Sequence, residues 1–221
     1  MSGCKRILNL VEYNQHINKI PEKRVTVEEL KKEPITTALI LINVIVFIVV
    51  EATGGSENAA HMLECGAIYA PLVLEQGEWY RIFASMFLHF GLPHLVNNML
   101  VLFVLGQRLE PIAGKVRFLI IYILGGLGGN LISLYFDIRT SDFTVSAGAS
   151  GAVFAVMGGL IYVLLRHKGR VADLTVKQMA VMAGFSLYFG FASGGVDNAA
   201  HLGGLICGFI AATIFYHPRK I

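Results

Sequence analysis

The chain has 221 residues, 55% of them hydrophobic and 15% charged, with a formal net charge of +3 at pH 7 and a positive mean hydropathy. That is too apolar for an ordinary soluble domain and places the chain among membrane proteins. The cations fall as topology signals and carry no nucleic-acid reading. The three cysteines, Cys4, Cys65 and Cys207, show no metal-ligand spacing and fall in three different places along the topology, so zinc and redox chemistry drop out. No metal or organic cofactor is called for.

Residues 1–33 are polar and basic, with Lys5, Arg6, Lys19, Lys23, Arg24, Lys31 and Lys32. They are expected to form a short cytoplasmic extension with at most one amphipathic helix. The first apolar stretch follows late and is long enough to remain as an anchor and not to be cleaved as a signal. Pro34 suits the first turn of a helix. From there the apolar stretches run Ile35 to Ala52, Leu92 to Gln107, Phe118 to Phe136, Gly148 to Leu165, Val176 to Ala192 and Ala199 to Tyr216. Each lies near or a little under the ~20 residues that a helix needs to cross the hydrocarbon core.

The expected fold is therefore all-α: a polytopic, six-helix membrane bundle over residues 34–217, with a cytoplasmic tail at 218–221. Lys and Arg crowd the N-terminal segment, the connection after span two (Arg108, Lys115, Arg117), the connection between spans four and five (Arg166, Lys168, Arg170, Lys177) and the tail (Arg219, Lys220). By the positive-inside rule both termini are cytoplasmic, with some attraction to the lipid bilayer's anionic headgroups.

Between spans one and two lies a long external loop, about Thr53 to Gly91. Loops of this length tend to be functional or to carry short elements of their own. Its run Trp79-Tyr80-Arg81 is suited to the headgroup level, either as an interfacial anchor or as part of a loop that lies in the outer leaflet and shapes access to a site.

His94 and Asn98 stand at i and i+4 near the external end of span two, on one helix face. Their N–H groups could stabilise a developing oxyanion, or could form interhelical hydrogen bonds. His89 and Asn97 read as structural, the latter pointing elsewhere. Ser150 lies in Gly148-Ala149-Ser150-Gly151 at the head of span four, where glycines permit close backbone approach and a helix start offers backbone N–H groups. A nucleophile and an ordinary packing serine both fit that setting.

His201 stands just inside span six, with Gly204 and Gly208 giving a Gly-x-x-x-Gly face for close packing on a neighbouring helix. It could be the general base of a serine, a proton relay or a ligand site. Spans two, four and six all enter from outside, so His94, Ser150 and His201 share a shallow external depth at ~1.5 Å per helical residue. That convergence favours a buried functional site.

With these residues the chain resembles the rhomboid intramembrane serine proteases over about residues 34–217. The resemblance is carried by Gly148-Ala149-Ser150-Gly151, by Ala200-His201 with Gly204, by His94-x-x-x-Asn98, and by the aromatic-Arg pattern of the first loop, where Tyr80 here separates Trp79 from Arg81. It implies a dyad of Ser150 and His201 with no third carboxylate. The oxyanion hole would comprise His94, Asn98 and the backbone N–H of Ser150, and Gly148 would allow substrate approach, with Gly151 and Gly204 in support. It also implies that Phe154, where many relatives have tyrosine, packs on the His201 ring. Glu110 with Gly114 is similar to the family's Glu-x-x-x-Gly, implying a structural role at the connection to span three.

The expected function is intramembrane cleavage of transmembrane protein substrates near the external boundary, in what the compact six-span layout suggests is a bacterial plasma membrane. The alternative is a non-proteolytic rhomboid-like protein that binds transmembrane helices, or a transporter. The Gly-rich fifth span and the Ser193-Gly194-Gly195 loop after it are expected to form the moving gate. The sequence specifies no oligomeric state.

Overall fold

The computed structural model describes residues 33–171, 174–193 and 195–217. The N-terminal extension (1–32), Gly194 of the expected gate loop and the tail 218–221 lie outside the described residues. Six helices of 17 residues or more dominate the described chain: α1 (Pro34–Thr53), α5 (Gly91–Ala113), α6 (Lys115–Thr140), α7 (Ser150–Arg166), α8 (Val176–Ser193) and α9 (Asn198–Phe215). The expected long loop carries three short helices, α2 (Ala59–Glu64), α3 (Ala70–Glu75) and α4 (Arg81–Ala84), and a 3-10 turn at Ser85–Phe87. A two-residue antiparallel ladder, β1 (Arg170–Val171) with β2 (Leu174–Thr175), joins α7 to α8.

α1, α6 and α9 are each long and apolar enough to cross a membrane by themselves. α5 passes the same test together with the segment Arg81–Phe87, from which it is bent by 89°. The bend means that the end of the long loop runs across the direction of α5. Large apolar side chains cover the outside of the bundle, among them Leu41, Ile45 and Ile48 on α1 and Ile206, Ile210 and Ile214 on α9. An apolar exterior of this extent would be a liability in water and is ordinary against lipid.

Burial in lipid gives helices no hydrophobic drive to associate, so close packing of small residues takes over. α9 packs most extensively, against both α6 and α7. Gly204 of α9 lies directly on the Gly151 carbonyl of α7, and Gly208 on the backbone of Ala155. On the other side, Gly125 and Gly129 of α6 meet Ala155, Gly208, Ala200 and Gly204. The run Gly125-Gly126 and Gly128-Gly129 is thus the third face of a small-residue seam whose role was not anticipated from the sequence. α8 rests on α7 and α9 by a slighter contact, with Phe185 and Phe191 turned outward.

Two buried charged side chains brace this frame. Glu110, 1% exposed, accepts from Ile35 N (3.0 Å), Thr36 N (2.8 Å) and Thr36 Oγ1 (2.7 Å). Its carboxylate therefore caps the start of α1, satisfying N–H groups that a helix leaves unpaired, instead of holding the connection to span three. Only its backbone serves that connection, through Gly114 N to Glu110 O at 2.8 Å. Gly114 there takes a φ of +87° that a side chain would resist. Arg81 is likewise buried: it binds Glu78 and donates to the carbonyls of Leu63 (2.6 Å) and Ala67 (2.9 Å). It clamps the long loop from within, while Trp79 and Tyr80 remain exposed and available to an interface.

Candidate active site

The amino-terminal ends of α5, α7 and α9 meet around one cavity of about 440 Å³. His94, Asn98, Gly148, Ser150, Phe154 and His201 all line it. Gly151 and Gly204 do not line it; they form the backbone contact just behind Ser150 that brings α7 and α9 together.

Ser150 is the first residue of α7, where first-turn backbone N–H groups lack helical partners. The segment ahead of it is held from several sides. Ser146 pairs with Ile68 of the long loop (Ile68 N to Ser146 O, 2.8 Å; Ser146 N to Ile68 O, 2.9 Å), and Gly148 N donates to Ser85 O at 3.0 Å. Ala149 N donates to Nε2 of the buried His89 at 3.3 Å, which requires the tautomer with its proton on Nδ1. Gly148 has φ +150°, a conformation L side chains rarely adopt. A Cβ there would lie 3.1 Å from His94 Nε2 and 3.5 Å from Ser150 Oγ. The imidazole of His94 and the hydroxyl of Ser150 thus flank the same small space above Gly148.

His201 is buried in the fourth position of α9. Its ring stacks on Phe154, with centroids 4.4 Å apart and an interplanar angle of 12°. Its Nδ1 has no hydrogen-bond partner among the described residues. Ring stacking and helix packing, not a carboxylate, orient this imidazole. Ser150 and His201 share the cavity wall without a hydrogen bond between them among the described contacts; such bonds commonly tighten only when substrate is present. Asn98 donates through Nδ2 to His94 O at 3.0 Å, which leaves the second Nδ2 hydrogen for another acceptor.

Three participants escaped the sequence reading, while His89, read there as structural, acts as a support. Asn97, expected to point elsewhere, also lines the cavity. Asn130 of α6 lines the cavity and donates to Ile82 O (2.8 Å) and Ser85 Oγ (3.1 Å). Asp197 caps α9 and accepts from two serines; an acid three residues ahead of Ala200 is a helix-start signal that the sequence did offer. The far wall comes from α8, through Met182, Phe185, Ser186 and Gly190.

A profile of the rhomboid domain matches residues 76–218. The chain belongs to the rhomboid family. It is 36% identical over 188 residues to the rhomboid protease GluP of Bacillus subtilis, covering 85% of this chain and 36% of that one. With the rhomboid protease AarA of Providencia stuartii it shares 32% identity over 85% of this chain and 74% of the relative. Plant relatives occur as well, including RHOMBOID-like protein 1 of Arabidopsis thaliana at 35% identity over 68% of this chain and 38% of its own. The match spans less than half the length of several curated relatives. Family membership and the apolar helices together make it an integral, multi-pass membrane protein.

Proposed function

We propose that this rhomboid-family chain is an intramembrane serine endopeptidase that cleaves transmembrane protein substrates near the external membrane boundary. The observation that carries the reading is the shared cavity: Ser150 at the head of α7 and His201 on α9 face it with His94 and Asn98 of α5. In this reading Ser150 Oγ attacks the scissile carbonyl carbon while His201 takes its proton. His94, the free Asn98 hydrogen and Ser150 N–H hold the resulting oxyanion. The protonated imidazole then donates to the leaving amine, and water repeats the sequence on the acyl-enzyme. Gly148 admits the substrate backbone against the site, since a Cβ there would press on His94.

All six long helices span the bilayer in this proposal, with both termini cytoplasmic and the cavity opening outward, in a bacterial plasma membrane. Residues 34–217 form the protease domain, with 1–33 and 218–221 on the cytoplasmic side. The Arg81–Phe87 segment, turned 89° from α5, lies along the outer leaflet. A serine-directed fluorophosphonate applied to the purified native protein is expected to form one adduct, on Ser150, and none after Ser150→Ala. Native protein that resists the reagent would favour the helix-binding or transport alternative.

A substrate helix must arrive sideways and unwind, because its peptide groups are engaged while helical. The slight packing of α8 on its neighbours and its share of the cavity wall support α8 as the gate. Covalently tethering α8 to α5 should stop cleavage of a membrane-embedded substrate while fluorophosphonate labelling continues. Undiminished cleavage in the tethered protein removes α8 from that role.

A further inference from the structure

We infer that Asp197 is a positioning residue for the reaction proposed above, on which this role rests: its carboxylate ties the segment carrying Ser150 to the helix carrying His201. One oxygen, Oδ1, accepts from Ala200 N at 2.8 Å and caps α9 immediately before His201. The other, Oδ2, accepts from Ser146 Oγ at 2.8 Å and Ser133 Oγ at 2.5 Å. Ser146 lies four residues before Ser150 in the segment that also carries Gly148, and Ser133 lies in α6. Three separate elements therefore meet on one carboxylate at the cavity wall.

The need for such a tie follows from how the two reacting groups are held. No described residue bonds His201 Nδ1, so the imidazole is placed by the backbone of α9 and by its stacking on Phe154. The hydroxyl of Ser150 goes where the non-helical segment ahead of α7 takes it. That segment's bonds to Ile68, Ser85 and His89 fix it to the long loop and its exit into α5. Its bond to Asp197 is the one, among those described, that reaches α9. An ionised acceptor makes each of these bonds shorter and stronger than a neutral one, and serial hydrogen bonds in a low-dielectric setting reinforce one another. Asp197 thus does at one remove what a third carboxylate on the imidazole would do directly: together with the Gly151–Gly204 backbone contact, it holds nucleophile and base in register.

Three variants separate this role from simple capping. Asp197→Ser retains an N-cap acceptor for α9 but leaves Ser133 and Ser146 without their shared anion. Ser146→Ala cuts the tie and leaves the cap intact. The third combines the two. The readouts are the rate of fluorophosphonate capture by Ser150, kcat and KM on a membrane-embedded substrate, and the thermal midpoint in detergent.

Capture and kcat are expected to fall by about tenfold to a hundredfold in each single variant, as for a small misplacement of reacting groups. KM should hold, the midpoint should fall only modestly for the lost hydrogen bonds, and the double variant should be no slower than Asp197→Ser, because both break one connection. Ser146→Ala carries the test alone if Asp197→Ser does not fold. Native rates of capture in either single variant overturn the positioning role. Native protein that neither takes the label nor cleaves overturns the serine-enzyme reading itself, a failure visible before any change at Asp197.

Discussion

Replacing His201 by alanine is expected to lower kcat/KM for a membrane-embedded substrate by about 10⁴-fold to 10⁶-fold, with Ser150→Ala as severe and the double variant no worse. A serine hydroxyl is a poor nucleophile until a base takes its proton, and His201 is the imidazole that the packing of α9 on α7 brings to the cavity with Ser150. His94, also on the cavity wall, is assigned to the oxyanion in the proposed reaction, which leaves His201 as the base. The effect should be chemical and not structural. The His201 side chain makes no described hydrogen bond through Nδ1 and leans on Phe154 through ring stacking, so truncation removes one stacked pair, worth about 0.5–1.5 kcal/mol beyond the area it buries. The check is a rate measurement in reconstituted vesicles alongside thermal unfolding. A His201→Ala protein that cleaves at the native rate would remove the base from the mechanism; one that unfolds would make the stacked His201–Phe154 pair a structural element first.

The long helices were legible because lipid imposes a composition on them, and their starts agree with the apolar windows to within a few residues. Their ends agree less well where a charge is buried. The window of span two closes at Gln107, yet α5 continues to Ala113, because Glu110 finds the unpaired N–H groups of α1 and tolerates burial there. Hydropathy reads the thickness of the hydrocarbon, whereas the helix stops where Gly114 can take a positive φ.

The residues that share the cavity were legible as candidates, since serine, histidine and asparagine at shallow depth in apolar helices carry a cost that local sequence shows. Their supports were not. His89 to Ala149, Asn130 to Ile82 and Asp197 to Ser133 are bonds across 48 to 64 residues of sequence, and no local pattern names the partner. Arg81 shows the same limit in reverse. Its neighbours Trp79 and Tyr80 mark a headgroup-level segment, but the guanidinium turns inward onto the carbonyls of Leu63 and Ala67, which local sequence does not announce.

The second large effect is expected at Gly204. A valine there would drive its Cβ into the carbonyl of Gly151 and to 3.1 Å from the Gly151 Cα, and the obstacle is backbone on both sides, so no side chain can swing away. The helices must part, and α6, which approaches α9 so closely at Gly129 that a Cβ there would lie 3.1 Å from Gly204 N, leaves α9 little room to retreat. Overpacking of this kind costs about 1–3 kcal/mol, and separating α7 from α9 by even an ångström costs about a hundredfold in rate, because Ser150 precedes Gly151 directly and His201 lies one turn before Gly204. Gly204→Val should therefore lose nearly all cleavage at a stability loss that still leaves folded protein, read as kcat against thermal midpoint.

Gly184 of α8 supplies the contrast in stability: a Cβ there meets nothing within 4 Å, so Gly184→Ala should keep the unfolding free energy or raise it by about 0.5–1 kcal/mol through helix propensity alone. A Gly204→Val protein with native kcat would show that the α7–α9 seam does not set the distance between Ser150 and His201. The small-residue packing would then be a matter of assembly in lipid, and the alignment of the two reacting groups would rest on the hydrogen-bonded segment ahead of Ser150.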